Sequence, residues 1–325
     1  MTAVIHIYFK EVYMKRFFVV FLALAMVTFT TGAQQLTIGF VSPDQGASTQ
    51  ARVANKLEQV AKREGWKISI SSATGSWEKM ANIVEDYVSK KVSVIVIAMG
   101  QVNSLTPALQ AAVKANIPVI AIDSEYTDLL TADILTNNWE MGAKISTYMV
   151  DRLNHKGNII VFKFDQFYGT RYRGEILDTI LSEEPDIKVL DTHFVPPTGF
   201  VEDAQSAMQA YLVKYGSKID AVWCAYDDLA YGVSLAVKEK GFGPDDIFVV
   251  GIDGTDRNLR LIKSGTSPVV GTIIQPYDDA VEKAADLIKK LIIQKKSAKE
   301  VVGSVKVIYM STPLITSANV DDYLK

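Results

Sequence analysis

Short apolar runs alternate with amphipathic helical patterns from residue 36 onward. The runs are rich in Val and Ile and carry apolar residues on both faces, which is typical of parallel strands covered by helices. The strands predicted from them are 36–41, 67–71, 92–99, 118–123 and 132–136 in a first series, and 158–164, 187–194, 221–226, 247–253 and 269–275 in a second. This alternation predicts βαβ units and doubly wound α/β sheets.

The helical patterns between these runs have recognisable ends. Gly65 stops the first helix, and Ser76 is the predicted N-cap of the second. Thr106 followed by Pro107 predicts an N-cap and a proline at the first helical position. The last strong pattern covers 276–294 and is expected to return to the first half of the fold.

The series is doubled, so we predict two Rossmann-like lobes of similar topology. The run 118–123 ends in Asp123 and the run 247–253 ends in Asp253. Ligands of open α/β sheets bind beyond the carboxyl ends of the strands, so both carboxylates are expected to face one cleft. The alternative for each Asp is a cap on the following helix or turn. No linker rich in Pro, Gly or Ser separates the halves, which favours short crossovers.

Composition limits the function classes. A chain of 325 residues exceeds the usual single-domain size, which agrees with two lobes. The net charge of -3 and the absence of basic runs longer than two residues give no reason to expect a nucleic-acid partner. The single cysteine, Cys224, lies in an apolar strand pattern and is predicted to be a buried, inert thiol.

The N-terminal segment has the three parts of an export signal. Lys15 and Arg16 precede an apolar run over 17–27, and small residues follow as far as Ala33. We therefore predict a cleaved signal peptide over 1–33, with 1–13 as an upstream extension whose translation the sequence leaves open. A membrane anchor is the alternative, but the run is shorter than the roughly 20 residues that span a bilayer. The mature protein is expected to be a soluble, periplasmic monomer.

Catalytic patterns are scarce in the sequence. His155 and His193 are isolated, and no Cys/His cluster has metal-ligand spacing. The glycines at 241 and 243 precede a strand, so they predict a turn and not a phosphate loop. We therefore predict no enzyme, no metal and no cofactor. A hydrolase that uses Asp123 and Asp253 as a carboxylate pair is the enzymatic alternative.

The side chains expected at the cleft are those of a polyol binder. An Asp carboxylate accepts strong hydrogen bonds from adjacent hydroxyl groups, and Arg171 offers a planar fork of donors. Gln275, at a predicted strand end, both donates and accepts. Phe200 and Tyr226 are the aromatic candidates to contact the apolar C–H face of a sugar. The segment 169–174 begins a helix, which suits an anion, and its two arginines also suit hydroxyl groups or a carboxylate.

Six segments, in this order, resemble the type I periplasmic binding proteins of the ribose/galactose ABC-importer class. They are 115–123, Asn138 with Gly142, 169–174, 226–232, 250–255 and 271–276. The resemblance covers nearly all of residues 36–324. It implies three crossovers near Asn138, Gln275 and Ser311, which divide the chain into an N-terminal lobe (34–137 and 276–311) and a C-terminal lobe (138–275 and 312–325).

The resemblance also implies a set of ligand contacts. Phe200 would stack on a sugar ring. The hydroxyl groups would bind to Asp123, Asn138, Arg171, Asp253 and Gln275. Ligand binding would close the hinge, and the closed form would dock on an ABC importer permease.

The sequence departs from that family at the first-lobe wall. Ser124 stands where ribose-type binders carry arginine, and Tyr226 stands where they carry asparagine. The loop 42–49 lacks their aromatic pair, so we predict new polar contacts from Asp44, Gln45 and Ser48. The expected ligand is then another pentose, a hexose or a sugar alcohol.

The predicted function is capture of a monosaccharide or polyol by an exported solute-binding protein that delivers it to an ABC importer. The alternatives are a sugar-sensing partner of a chemoreceptor or sensor kinase, and a binder of a non-sugar polar ligand. LacI-type regulators share this core, but they carry an N-terminal helix-turn-helix where this chain carries an export signal.

Overall fold

A computed structural model describes residues 35–324 of the chain. The predicted signal peptide over 1–33 therefore lies outside the described residues. Within the part that is described, no helix is both long enough and apolar enough to cross a membrane.

The described residues form two six-stranded sheets with the same order of strands. The first has the order β11-β5-β4-β3-β1-β2 and the second the order β12-β10-β9-β8-β6-β7. All pairs are parallel except β10 with β12. The strands of the first sheet are β1 (Thr37–Ser42), β2 (Lys67–Ser72), β3 (Val94–Ala98), β4 (Val119–Ile122), β5 (Ala132–Thr136) and β11 (Val307–Met310). Those of the second are β6 (Gly157–Lys163), β7 (Ile187–Phe194), β8 (Ala221–Cys224), β9 (Phe248–Val250), β10 (Val269–Ile273) and β12 (Leu314–Thr316).

Helices cover both faces of each sheet, as the predicted α/β class requires. The α-helices are α1 (Ser48–Glu64), α2 (Trp77–Ser89), α3 (Thr106–Lys114), α4 (Asn138–Arg152), α5 (Tyr168–Ser182), α6 (Phe200–Tyr215), α7 (Asp227–Glu239), α8 (Asp256–Ser264), α9 (Tyr277–Ile288) and α10 (Ala298–Val302). We call the first sheet with its helices the first lobe, and the second sheet with its helices the second lobe. The doubly wound α/β fold predicted from the sequence is confirmed.

The chain passes between the two sheets three times. The passages lie between β5 and β6, between β10 and β11, and between β11 and β12. Helix α9 follows the second passage and packs in the same apolar core as the first sheet. Arg52 Nε of α1 donates to Asp278 Oδ1 of α9 at 2.9 Å, which adds a polar contact to that packing. The exact residues at which the chain divides into an N-terminal and a C-terminal lobe stay a prediction.

The local signals in the sequence were mostly correct. Gly65 ends α1 in the left-handed conformation with φ 71°, and the Ser76 hydroxyl accepts a hydrogen bond from the backbone N–H of Lys79 at the start of α2. Cys224 is fully buried, as predicted. The N-cap prediction for Thr106 was wrong: a 3-10 turn precedes it, and Thr106 is already the first residue of α3. Its hydroxyl donates to the carbonyl of Asn103, one turn back.

Two strands were missed and several were predicted too long. The short edge strands β11 and β12 were not predicted. The runs 118–123 and 247–253 extend past the observed ends of β4 and β9, so that Asp123 and Asp253 lie just beyond their strands. Both residues have a positive φ, of 51° and 137° respectively, which breaks the extended backbone.

Candidate functional site

A cavity lies between the carboxyl ends of the two sheets. It encloses about 690 Å³ of empty space, open solvent included. From the first lobe it is lined by Asp44 after β1, Met99 after β3 and Asp123 after β4. From the second lobe it is lined by residues that follow β6, β8, β9 and β10: Phe164, Tyr226, Asp253 and Gln275.

Asp123 is held by three side chains before any ligand is present. Its Oδ1 accepts from Thr136 Oγ1 at 3.0 Å and from Asn138 Nδ2 at 3.2 Å. Its Oδ2 accepts from Tyr277 Oη at 2.9 Å. A carboxylate has about four acceptor sites, so Oδ2 keeps capacity for a ligand hydroxyl.

Asp253 is the corresponding carboxylate of the second lobe. Its Oδ1 accepts from Gln275 Nε2 at 2.6 Å and lies 3.6 Å from Arg173 Nη1. Its Oδ2 receives no hydrogen bond from the described residues, so this atom is available to an occupant of the cavity. Burial raises the pKa of the Asp253 carboxyl well above its usual range, while the neighbouring Arg173 guanidinium opposes that rise.

The backbone at Asp253 is fixed in an unfavourable conformation. A φ of 137° for a residue with a Cβ costs on the order of 1–3 kcal/mol. The Asp253 N–H donates to Ile273 O at 2.8 Å, and the Gln275 N–H donates back to Asp253 O at 3.1 Å. Gly254 follows at φ 65°, where an added Cβ would lie 2.7 Å from the Cα of Ile274. Strand β10 thus holds the carboxylate toward the cavity.

A hydrogen-bonded series joins the two aspartates through the crossovers. Thr136 Oγ1 lies 2.7 Å from Gln275 Oε1, and Gln275 Nε2 donates to Asp253. Since Thr136 also lies within hydrogen-bond distance of Asp123, its single proton is shared between two acceptors. The carboxylates of the two lobes are therefore connected by only two side chains.

The structure brings Arg173, and not Arg171, to this cavity. Arg173 is 2% exposed, and its Nε donates to Asn138 Oδ1 at 2.8 Å while Nη1 donates to the carbonyl of Ala225 at 2.9 Å. Arg171 lies outside the cavity: its Nη1 donates to the carbonyl of Asp165, and its Nη2 is 4.0 Å from Glu125 Oε1. The two arginines differ because residues two apart on a helix point roughly 200° apart.

Aromatic side chains form the walls. Phe164, Phe200 and Tyr226 of the second lobe contact one another edge to face, with ring centroids 5.7–6.0 Å apart. Trp77 of α2 and Phe167 before α5 also line the cavity. The loop 42–49 lacks an aromatic, as the sequence shows, but Trp77 supplies one on the first-lobe side.

The remaining predicted residues take other places. Asp44 lines the cavity, whereas Gln45 and Ser48 do not. Ser48 contacts the second lobe instead: its hydroxyl donates to Asp228 Oδ1 at 2.6 Å. Ser124 is buried, and its hydroxyl accepts from the Gly100 N–H at 3.0 Å. Asn138 reaches the cavity indirectly, through its bonds to Asp123 and Arg173.

Sequence reasoning missed several side chains that line the cavity. Arg173, Phe167 and Tyr277 are among them. For Arg173 a signal was present: it shares a buried helical stripe with Thr170, Gly174 and Leu177. Tyr277 follows Pro276 at the start of α9, where nothing in the hydrophobic pattern separates a core tyrosine from a cavity tyrosine.

Comparison with known proteins gives a family and several relatives. Residues 38–296 match the family model described as a periplasmic binding protein domain. A xylitol-binding protein of Mycolicibacterium smegmatis is 30% identical over 282 residues, which cover 85% of this chain and 73% of that protein.

Two solved structures have the same fold. A 5-methylthioribose transporter solute-binding protein from Thermotoga lettingae, solved with 5-methylthioribose, superposes with a TM-score of 0.79 at 21% identity and covers 88% of each chain. An ABC transporter solute-binding protein from Agrobacterium vitis, with bound allitol, has a TM-score of 0.78 at 22% identity, covering 90% of this chain and 98% of that one.

Proposed function

We propose that this chain, which belongs to the periplasmic binding protein domain family, captures a monosaccharide or polyol between its two lobes and delivers it to an ABC importer. One observation carries the proposal. Asp123 of the first lobe and Asp253 of the second line the same cavity, where each carboxylate keeps acceptor capacity.

The chemistry of the cavity favours a ligand with many hydroxyl groups. Charge-assisted hydrogen bonds from hydroxyl groups to a buried carboxylate are about twice as strong as neutral ones. Arg173 and Gln275 add donors, and the aromatic group of Phe164, Phe200 and Tyr226 offers an apolar face to C–H bonds. A xylitol-binding relative at 30% identity supports the same ligand class.

The two lobes supply the mechanism of capture. A ligand that touches both Asp123 and Asp253 gains its full set of contacts only when the lobes approach, so binding shifts the population toward the closed arrangement. Thr136 and Gln275 lie at the crossovers and are hydrogen-bonded to each other and to the two aspartates. A change in the angle between the lobes therefore also moves the carboxylates of Asp123 and Asp253.

Membership of this family also supports the proposed location and partner of the protein. A periplasmic location after removal of residues 1–33, a permease partner, a monomeric mature chain and the lack of enzymatic activity belong to the proposal. No observation favours the sensor-partner role or a non-sugar ligand over transport.

The proposal is tested by a thermal-shift screen of the mature chain against monosaccharides and sugar alcohols, followed by calorimetry with the best ligand. Asp253→Ala is expected to abolish measurable binding, because Arg173 and the ligand hydroxyls lose a buried charged partner, a loss of about 2–5 kcal/mol. Asp256→Ala is the matched control, since Asp256 is an exposed residue of α8.

Two outcomes would contradict the proposal. Unchanged affinity of Asp253→Ala would refute the site, and the lack of any stabilising sugar or polyol would refute the ligand class. Incubation with glycosides tests the hydrolase alternative, for which we expect no turnover.

A further inference from the structure

A second cavity lies between the same two lobes and shares none of its lining, among the described residues, with the first. It encloses about 680 Å³ of empty space, open solvent included. The first lobe contributes Glu125 and Tyr126 after β4, and the second contributes Trp139 of α4 with Tyr168 and Tyr172 of α5. The crossover at 136–138 connects the two sides.

One wall of this second cavity is a flat aromatic surface. The rings of Trp139 and Tyr172 stack with centroids 4.4 Å apart and an interplanar angle of 13°. Tyr168 meets Tyr172 edge to face at 5.5 Å. Trp139 nevertheless remains 45% exposed, so its other face is open to a partner. Such a surface suits the C–H face of a saturated ring.

A buried hydroxyl group lines the same cavity without a partner. Tyr168 is 5% exposed, and its hydroxyl has no hydrogen-bond partner among the described residues. Buried polar groups in native proteins are nearly always paired. This hydroxyl is closed to solvent, so an occupant of the cavity that carries hydroxyl groups would pair with it after a small movement of the surrounding side chains.

The charges around the cavity disfavour both cations and anions. Glu125 already lies 4.0 Å from Arg171, whose guanidinium carbon is 5.8 Å from the centroid of the Tyr172 ring. A second cation would compete with Arg171 for the same carboxylate and the same ring. Glu125 itself lines the cavity, so an anion would be repelled as well.

We propose that this second cavity binds a neutral, ring-shaped, polyhydroxylated molecule, such as a sugar ring or a cyclitol. The ring would stack on Trp139, and its hydroxyl groups would bind to Tyr168 and Glu125. Because the cavity is lined by both lobes and by a crossover, its occupant would also bias the angle between the lobes. Binding at the second cavity does not depend on which ligand the first cavity binds.

The tryptophans allow the two cavities to be observed separately. Trp77 lines the first cavity and Trp139 lines the second, whereas Trp66 and Trp223 are buried and line neither. In a Trp77→Phe/Asp253→Ala variant, the first site is disabled and its fluorescent reporter is removed. Titration of this variant with myo-inositol or D-galactose is expected to give a saturable change in tryptophan fluorescence.

Calorimetry on the same background supplies the controls. Trp139→Ala is expected to lower the affinity for the titrated ring at least tenfold, while Trp139→Phe, which keeps an aromatic face, retains most of it. Trp66→Phe is the matched control outside both cavities and is expected to leave the affinity for the titrated ring unchanged.

Three results would overturn this inference: no saturable signal with either ring, a signal unaffected by Trp139→Ala, or binding of choline in place of both rings. The last would identify an aromatic cation site. Residual binding at the first cavity in Asp253→Ala would persist when Trp139→Ala is added, and it would therefore count against the proposed function alone.

Discussion

At the scale of single residues, the groups proposed to bind a ligand in the first cavity are already held by other side chains. Asp123 accepts from three side chains, and Arg173 is held by Asn138 and by the carbonyl of Ala225. Ligand binding therefore spends little free energy on ordering these groups. A ligand instead meets a carboxylate from each lobe already turned toward it.

The two arginines of α5 give a direct test of the site. Arg173→Ala is expected to weaken ligand binding by about 3–5 kcal/mol, because Asp253 would remain buried without its cationic partner. Arg171→Ala is the matched control and is expected to leave the affinity within about threefold. Calorimetry with the best ligand of the thermal-shift screen measures both. Equal losses in the two variants would contradict the placement of Arg173.

Asp133 of β5 is a second residue with an unusual environment. It is fully buried, and neither carboxylate oxygen has a hydrogen-bond partner among the described residues. Burial, and then the charge of Asp123, raise its pKa well above the usual range. The native state therefore binds a proton that the unfolded chain has already released, and the free energy of unfolding falls as the pH rises from about 4 toward the raised pKa.

Asp133→Asn is expected to remove this pH dependence. The variant should exceed the wild type in stability most clearly above the raised pKa of Asp133, and the difference should close as the pH approaches 4. Urea unfolding at several pH values measures the difference. A constant difference across this range would show that the pKa of Asp133 is the same in the native and unfolded states.

At the scale of elements, helix packing sets the position of the arginine. An added Cβ at Gly142 of α4 would lie 2.9 Å from the Cα of Arg173 and 2.3 Å from Ile176 Cγ2. The close approach of α4 and α5 thus requires glycine at this position. At Gly174 of α5, by contrast, a Cβ would meet only the flexible side chain of Lys163, at 3.4 Å.

Gly142→Ala is expected to destabilise the protein by about 1–3 kcal/mol, because the two helices must separate. It should also weaken ligand binding, since the backbone of Arg173 moves with α5. Gly174→Ala is the matched control, and we expect its stability to be unchanged or slightly raised because alanine favours a helix. Thermal unfolding and calorimetry on both variants test the pair. A stable Gly142→Ala variant would contradict the packing argument.

The hydrophobic pattern predicts the interior elements of this fold better than its edges. The runs rich in Val and Ile identify ten strands, and the central ones, such as β3 and β8, are buried on both faces. The edge strands β2 and β7 are only partly buried, but with six and eight residues they are long enough to show a pattern. Strands β11 and β12 have four and three residues and are mostly half-buried, so they show neither a continuous apolar run nor a period of two. These two strands form by pairing with the edges of sheets that are distant in sequence, and a local pattern carries no information on that pairing.

The sequence predicts the site residues that follow strands. It predicts less well those whose position depends on which face of a helix is buried. Asp123, Asp253 and Gln275 follow strands, and parallel strands bring their carboxyl ends together. The choice between Arg171 and Arg173 depends on which face of α5 is buried, and Leu177, four residues after Arg173, marks that face. Ser48 was expected at the ligand, but its contact with Asp228 arises only when the two lobes meet.

At the scale of the whole molecule, the contact between Ser48 and Asp228 joins the lobes directly. The Ser48 N–H and hydroxyl donate to Asp228 at 3.1 and 2.6 Å, and Arg257 Nη2 donates to Asp228 Oδ1 at 2.6 Å. The guanidinium of Arg257 in turn stacks on Tyr231 at 3.8 Å. The carboxylate also lies at the N-terminus of α1, where negative charge is favourable.

Asp228→Ala is expected to open the molecule. Loss of these contacts should increase the radius of gyration of the ligand-free protein in small-angle scattering and speed ligand dissociation severalfold. Asp278→Ala is the matched control, because the Arg52–Asp278 pair joins two helices of the first lobe. Identical scattering of the wild type and Asp228→Ala would show that this contact does not hold the lobes together.

The arrangement of β11 and β12 has a consequence for synthesis of the protein. Met310 ends the edge strand of one sheet, and Leu314, four residues later, begins the edge strand of the other. A growing polypeptide therefore cannot finish either half until residues 307–316 have left the ribosome. The two halves are completed almost simultaneously, and neither can be produced as one uninterrupted stretch of sequence.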